Sequence, residues 1–171
     1  MDFKNLDDTT RKLMEQEIQS DIDSDSYYKS KLLTPSGLAN WPSLLLDAAA
    51  HGTDQTLASA IANFFVPMET YVRNGKTHTR KVASNANERL AEGEFNAYYI
   101  RALCLRSMGE GNDTVKVYRA KQVSHARSES EMKIGTNVEA SALLQDLRSN
   151  IGFDSALGIP AGPNSGLSVK L

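Results

Sequence analysis

Three histidines, one cysteine and a few clustered carboxylates are the residues of this 171-residue chain that could do chemistry. His51, His78 and His125 are widely spaced, and none stands in a His-Glu-x-x-His or Cys-x-x-Cys context, so their pattern does not point to zinc. His51 beside Gly52 fits the end of a helix, and His78 lies in an exposed β-prone run. Cys104 has no second cysteine to pair with, and its place among apolar residues points to a buried, inert thiol. The most enzyme-like set is Asp113 with Glu131 and Lys133, because two carboxylates and a lysine can hold Mg²⁺ and activate water in a nuclease. That spacing is permissive, and Glu129, Glu131 and Lys133 sit in a polar, serine-rich segment. Arg119 followed by Glu129-x-Glu131 has too few intervening residues for an ADP-ribosyltransferase fold. There is no Gly-x-Ser-x-Gly elbow and no phosphate-cradling Gly-rich loop, and Gly109-Glu-Gly111 follows a helix rather than a strand, where helix termination explains it. The residues therefore predict no catalytic centre, cofactor or metal; a Mg²⁺-dependent nuclease is the alternative.

The elements that would position such residues follow from periodicity. Leu13, Met14, Ile18 and Ile22 predict a helix over 8–22 with Asp8 as its cap. Thr34-Pro35 opens a short turn, and Asn40-Trp41-Pro42 restarts a helix that runs to Gly52. Leu57, Ile61 and Phe65 mark a third helix from Asp54, stopped by Pro67. Asn74-Gly75 sits between two β-prone runs, which predicts a projecting hairpin over about 69–82. Asn85 with Glu88 resembles a capping box opening a long central helix to Gly109, with Gly93 as a place for a kink or restart. Thr114 to Arg119 alternates like a half-buried strand, residues 120–136 are polar and irregular, and Asn137 can cap a last helix carrying Val138, Leu143, Leu144 and Leu147. Beyond Asn150 glycine and proline forbid a continuing helix. The expectation is an α+β, mainly helical fold: one globular domain over 1–150 with a helical cluster, the hairpin and a short additional strand, then an extended C-terminal arm over 151–171.

Composition is that of an ordinary globular chain, 40% hydrophobic and 23% charged. Apolar runs fall far short of the ~20 residues that span a bilayer, and Met1 to Asn5 lacks the start of a secretory signal, so a protein made and kept in a cytoplasm is expected. Charge is segregated. Asp2 to Asp25 carries eight acids against three bases, while Arg73 to Lys133 carries twelve bases against seven acids. Such asymmetry can steer subunits of a head-to-tail ring together, or present a basic face to phosphates. Candidate contacts are Arg73, Lys76, Arg80 and Lys81 on the hairpin, and a stripe of Lys116, Arg119 and Lys121 facing an acidic partner or DNA. Apolar residues of the arm, Phe153, Ile159, Leu167, Val169 and Leu171, suit docking along a surface or adding a strand to a partner's sheet.

The strings Leu90-Ala-Glu-Gly-Glu-Phe-Asn-Ala-Tyr-Tyr-Ile-Arg-Ala-Leu-Cys, Val117-Tyr-Arg-Ala-Lys, Ser128-Glu-Ser-Glu and Pro160-Ala-Gly-Pro-Asn-Ser-Gly-Leu resemble tailed-phage and prophage virion structural proteins, from about Leu33 onward. The resemblance implies a protein built into virions after synthesis in a host cytoplasm. Its expected role is a head-to-tail connector or adaptor whose ring of copies docks under the portal and meets tail or neck proteins, with possible contact to packaged DNA. A capsid decoration protein on the major capsid protein, a phage DNA-binding or DNA-processing enzyme and a small inhibitor of host machinery are the alternatives.

Overall fold

The computed structural model describes residues 1–124, 126–152 and 166–171. Its centre is a 24-residue helix, α4 (Ala86–Gly109), which buries Ala91, Phe95, Tyr98, Tyr99, Ala102, Leu103 and Cys104. Such a helix is apolar on several sides, so it needs neighbours on several sides. They are α1 (Asp8–Asp23), α2 (Pro35–His51), α3 (Asp54–Ile61) with a 3₁₀ turn at Ala62–Phe64, and α6 (Ala140–Ser149). A short helix α5 (Ser128–Lys133) leads into β4 (Asn137–Glu139), which pairs with the middle strand β3 (Thr114–Arg119). On the other side of β3 lies β5 (Leu167–Lys170), so the order is β4-β3-β5, all antiparallel. A separate two-stranded sheet is formed by β1 (Met68–Arg73) and β2 (Lys76–Lys81). The chain is therefore α+β and mainly helical, as its periodicity predicts.

Several boundaries differ from the sequence reading, each for a local reason. Asp7, not Asp8, caps α1: its carboxylate accepts the Thr10 N–H at 3.0 Å. α2 does not restart at Pro42 but runs unbroken from Pro35, with Thr34 accepting the Gly37 N–H. A proline inside a helix removes one backbone hydrogen bond; burial of Trp41 and Leu45 on either side of it holds the helix together. Trp41 also donates its indole N–H to the Tyr28 carbonyl at 3.0 Å. α3 ends at Ile61 rather than Phe65, and its cap is Thr53 with Thr56 closing a reciprocal box. Asn85 makes no side-chain cap, and α4 passes Gly93 without interruption. Asn137 opens β4 rather than a helix.

The largest correction concerns the arm. Leu167 and Val169 are buried at 3% and 0% exposure, inside this chain's own sheet opposite Arg119 and Val117. Gly166, at φ +67, turns the chain into that strand, where a Cβ would run into the Lys121 carbonyl oxygen. The edge of β5 is engaged as well: Asn96 on α4 donates to the Leu167 carbonyl at 3.0 Å, and the Leu171 N–H donates to Asn5 at 3.2 Å. Leu167 and Val169 are thus core residues, not anchors for a partner, and the domain extends past residue 150. Phe153 and Ile159 lie outside the described residues; Leu171 is 40% exposed.

The N-terminal segment straps the same region. The Asp2 N–H donates to the Ala120 carbonyl at 2.8 Å, and Phe3 sits against Phe95 and Tyr99 with ring centroids 5.0 and 4.7 Å away. The Tyr118 hydroxyl donates to the Asp2 carbonyl at 2.6 Å. The Met1 ammonium meets the buried Asp54 carboxylate at 2.6 Å.

Candidate functional site

Two concentrations of polar chemistry stand out, one inside the body and one outside it. The inner one is built by three helices. Glu17 and Asp21, four residues apart on α1, share the inward stripe with Met14 and Ile18, so both carboxylates point into the core. Arg101 of α4 lies opposite, donating Nε to Glu17 at 2.7 Å and its two terminal nitrogens to Asp21 at 2.6 and 3.0 Å. Arg148 of α6 closes on Glu17 from the rim at 2.5 and 3.0 Å, and the Tyr98 hydroxyl donates to Asp21 at 3.0 Å. Burial opposes the charge on Glu17, but hydrogen bonds from Arg148 and Arg101 outweigh it and hold its carboxyl below the usual range. Charge inside this cluster balances, two guanidinium groups against two carboxylates.

Glu94, one turn before Tyr98 on α4, is a third carboxyl here. Burial, helped by the nearby Asp21 charge and opposed by Arg101, pushes it up to about 8. It is therefore held protonated at neutral pH. Burial and the Glu17 charge push the Cys104 thiol up to about 12, which leaves it far from a reactive thiolate. Tyr98 and Tyr99 are shifted well above the ordinary phenol range, mainly by burial. A cluster this enclosed, with its carboxylates already engaged by arginine, fixes the packing of α1 on α4 and α6.

The outer concentration is the hairpin. Asn74 at φ +52 and Gly75 at φ +72 make the two-residue turn with positive φ at both positions that suits the twist of paired strands. No residue from Met68 to Lys81 is buried, and the ribbon packs broadly on no helix of the body. Alternation puts Glu69, Tyr71 and Arg73 on one face with Arg80, His78 and Lys76. On that face Tyr71 stacks on His78 at 5.5 Å, while Arg80 lies over the Tyr71 ring at 4.9 Å and meets Glu69 at 2.6 Å. The opposite face exposes Met68 and Val72, the latter at 72%, among threonines and Lys81. Arg73, Lys76 and Lys81 have no ion-pair partner among the described residues, so three of the four expected hairpin cations are free and the fourth is internally braced.

The stripe expected from Lys116, Arg119 and Lys121 does not form. Lys116 and Arg119 are three residues apart on one strand and so project from opposite faces. Lys116 is exposed beside Lys170, its partner in register; Arg119 is 9% exposed and meets Glu131 at 2.7 Å; Lys121 is paired with Glu92. The same Arg119 contact engages Glu131, the carboxylate singled out for a nuclease. Among the described residues no three His, Cys, Asp or Glu side chains gather as a metal site, and no helix is long and apolar enough to cross a membrane.

A third feature was not legible in the sequence: an open groove between α1 and α2 lined by Glu15, Gln16, Gln19, Leu46, Asp47, Ala50 and His51. It runs on, through Gln16 and Gln19, into a second shallow depression ending at Asp23 and Ser24. Glu15 and Asp47 have no ion-pair partner among the described residues. Compared with known proteins, the chain matches no family model, no curated protein and no solved structure.

Proposed function

We propose that the chain is a non-enzymatic structural protein of a tailed-phage-type virion, acting as a head-to-tail connector or adaptor that forms a ring under the portal. The observation that carries this reading is the hairpin. Twelve strand residues, Met68–Arg73 and Lys76–Lys81, are spent on a ribbon that buries nothing in its own core, and an isolated two-stranded sheet is marginal by itself. A ribbon of this kind gains its packing from a neighbour. Its free cations and exposed Val72 give that neighbour both a charge and an apolar contact, the pattern of a protein interface rather than of a catalytic cleft. The paired carboxylates of the interior and the Arg119–Glu131 contact also weigh against the nuclease alternative.

The test is native mass and negative-stain imaging of the purified chain, alone and with candidate portal and major capsid proteins. Rings captured by portal support the connector; binding to capsid shells moves the role to decoration. Metal-dependent DNA cleavage that disappears in Glu131→Ala would replace both with the enzyme reading.

A further inference from the structure

Two exposed features with unpaired charge, the hairpin and the α1–α2 groove, are opposite in sign. The hairpin over 68–82 carries four bases against one acid, within a chain of net charge -2. Its tip sets Arg73 and Lys76 across from each other on the face that also carries Tyr71. The α1–α2 groove offers Glu15 and Asp47 around the apolar carbons of Leu46 and Ala50, and the adjoining depression adds Asp23. Six-residue strands reach roughly 20 Å, with the free cations spread over roughly 15 Å of that length. Glu15 and Asp23 are eight residues apart on one helix, roughly 12 Å. Ribbon and groove are therefore matched in charge and comparable in length.

From this match we infer that the hairpin of one copy seats in the α1–α2 groove of the next copy. Arg73 and Lys76 meet Glu15 and Asp47, and Tyr71, on the same face of the ribbon, lies toward Leu46 and Ala50. The inference rests on the reading of the chain as a self-assembling structural protein and names the surfaces by which it does so. Donor and acceptor surfaces differ, so the contact is head-to-tail, and copies joined this way close into a ring or extend into a filament. A second copy is favoured over DNA because a ribbon serving phosphates alone leaves the oppositely charged groove of Glu15 and Asp47 without a role.

The experiment is sedimentation of the full chain and two double variants, Arg73→Glu/Lys76→Glu and Glu15→Lys/Asp47→Lys. Wild type is expected to self-associate, and more weakly as salt rises. Each double variant is expected to lose at least about tenfold in association constant, the scale of one close charge pair. Both should melt with wild type, because all four side chains lie at the surface. An equimolar mixture restores association, since every hairpin then finds a groove of opposite sign. A wild-type chain that stays monomeric at high concentration overturns the inference, as do variants that assemble like wild type or a mixture that stays apart. A monomer that binds duplex DNA at physiological salt through Arg73 and Lys76 overturns it in favour of a nucleic-acid partner. Failure of the connector reading is separable: rings that form through these surfaces yet ignore portal leave this inference standing.

Discussion

Replacing Glu94 by glutamine tests the interior most sharply, because the substitution keeps the shape of the protonated acid and removes its ability to ionise. Glu94 is 8% exposed and sits where two arginines are already matched by Glu17 and Asp21. Burial, followed by the opposing attraction of Arg101 and the repulsion of Asp21, raises its carboxyl from the usual 4.5 to about 8. The sign follows from linkage. Below pH 4.5 the acid is protonated in both states and adds no pH dependence. Between 4.5 and 8 the unfolded chain releases a proton that the folded one keeps, so stability falls as pH rises; above 8 the loss is complete. One proton corresponds to about 1.4 kcal/mol per pH unit. Over this window the loss amounts to roughly 2 to 5 kcal/mol, the lower figure allowing for water that reaches the carboxyl in the folded state. Urea unfolding of wild type and Glu94→Gln at pH 5, 6.5 and 8, followed by the fluorescence of the single, buried Trp41, measures it directly. The variant is expected to match wild type near pH 5 and to exceed it increasingly toward pH 8. A difference that stays flat with pH, or a variant less stable at pH 8, would refute the assignment of a buried neutral acid.

Arg101→Met strands Asp21 and leaves Glu17 with Arg148 alone, and is expected to cost roughly 3–5 kcal/mol in the same unfolding assay. Removal of residues 167–171 strips two buried side chains from β3, each contributing roughly 1.5–3 kcal/mol, so the truncated chain should melt well below wild type; an unchanged melting temperature would return the arm to the role of a free tail. Gly75→Val forces a β-branched residue into positive φ and should abolish the hairpin, read by loss of protection of its amides from hydrogen exchange, while shifting global stability by less than about 1 kcal/mol because nothing in the core rests on it.

The sequence displays what repeats with a period and hides what depends on a distant partner. α1, α4 and β3 were legible because Met14 and Ile18, Phe95 and Tyr99, and Val115 and Val117 recur at helical or strand spacing. Asn74-Gly75 announced the hairpin by its own backbone chemistry. Pro42 was misleading because the burial of Trp41 and Leu45 that overrides it comes from helices elsewhere in the chain. β4 and β5, three and four residues long, carry no usable alternation, and their existence depends on pairing with β3 across 21 and 48 residues or more of chain. That is also why Leu167 and Val169 read as free anchors. The interior cluster did leave a signal: Glu17 and Asp21 fall on the stripe of Met14 and Ile18, and Arg101 stands in the otherwise apolar run from Ala97 to Leu105. A charge on an apolar stripe needs an opposite charge on the facing helix.

Charge in this chain thus divides by depth, and the division bears on function. Inside, Arg101, with Arg148 at the rim, is matched by Glu17 and Asp21, and the leftover Glu94 is kept neutral. At the sheet, Arg119 and Lys121 are answered by Glu131 and Glu92. Cations left unanswered include Arg73, Lys76 and Lys81, gathered on an element that contributes nothing to the core, and unanswered acids include Glu15 and Asp47 across the molecule's sequence on α1 and α2. Solvated surface charge needs no partner, but it has no reason to collect on a ribbon held out by a well-formed turn beside an exposed valine. Folding alone does not require that ribbon; the proposed assembly would give it a partner, and the expected salt dependence of self-association follows from the same unpaired groups.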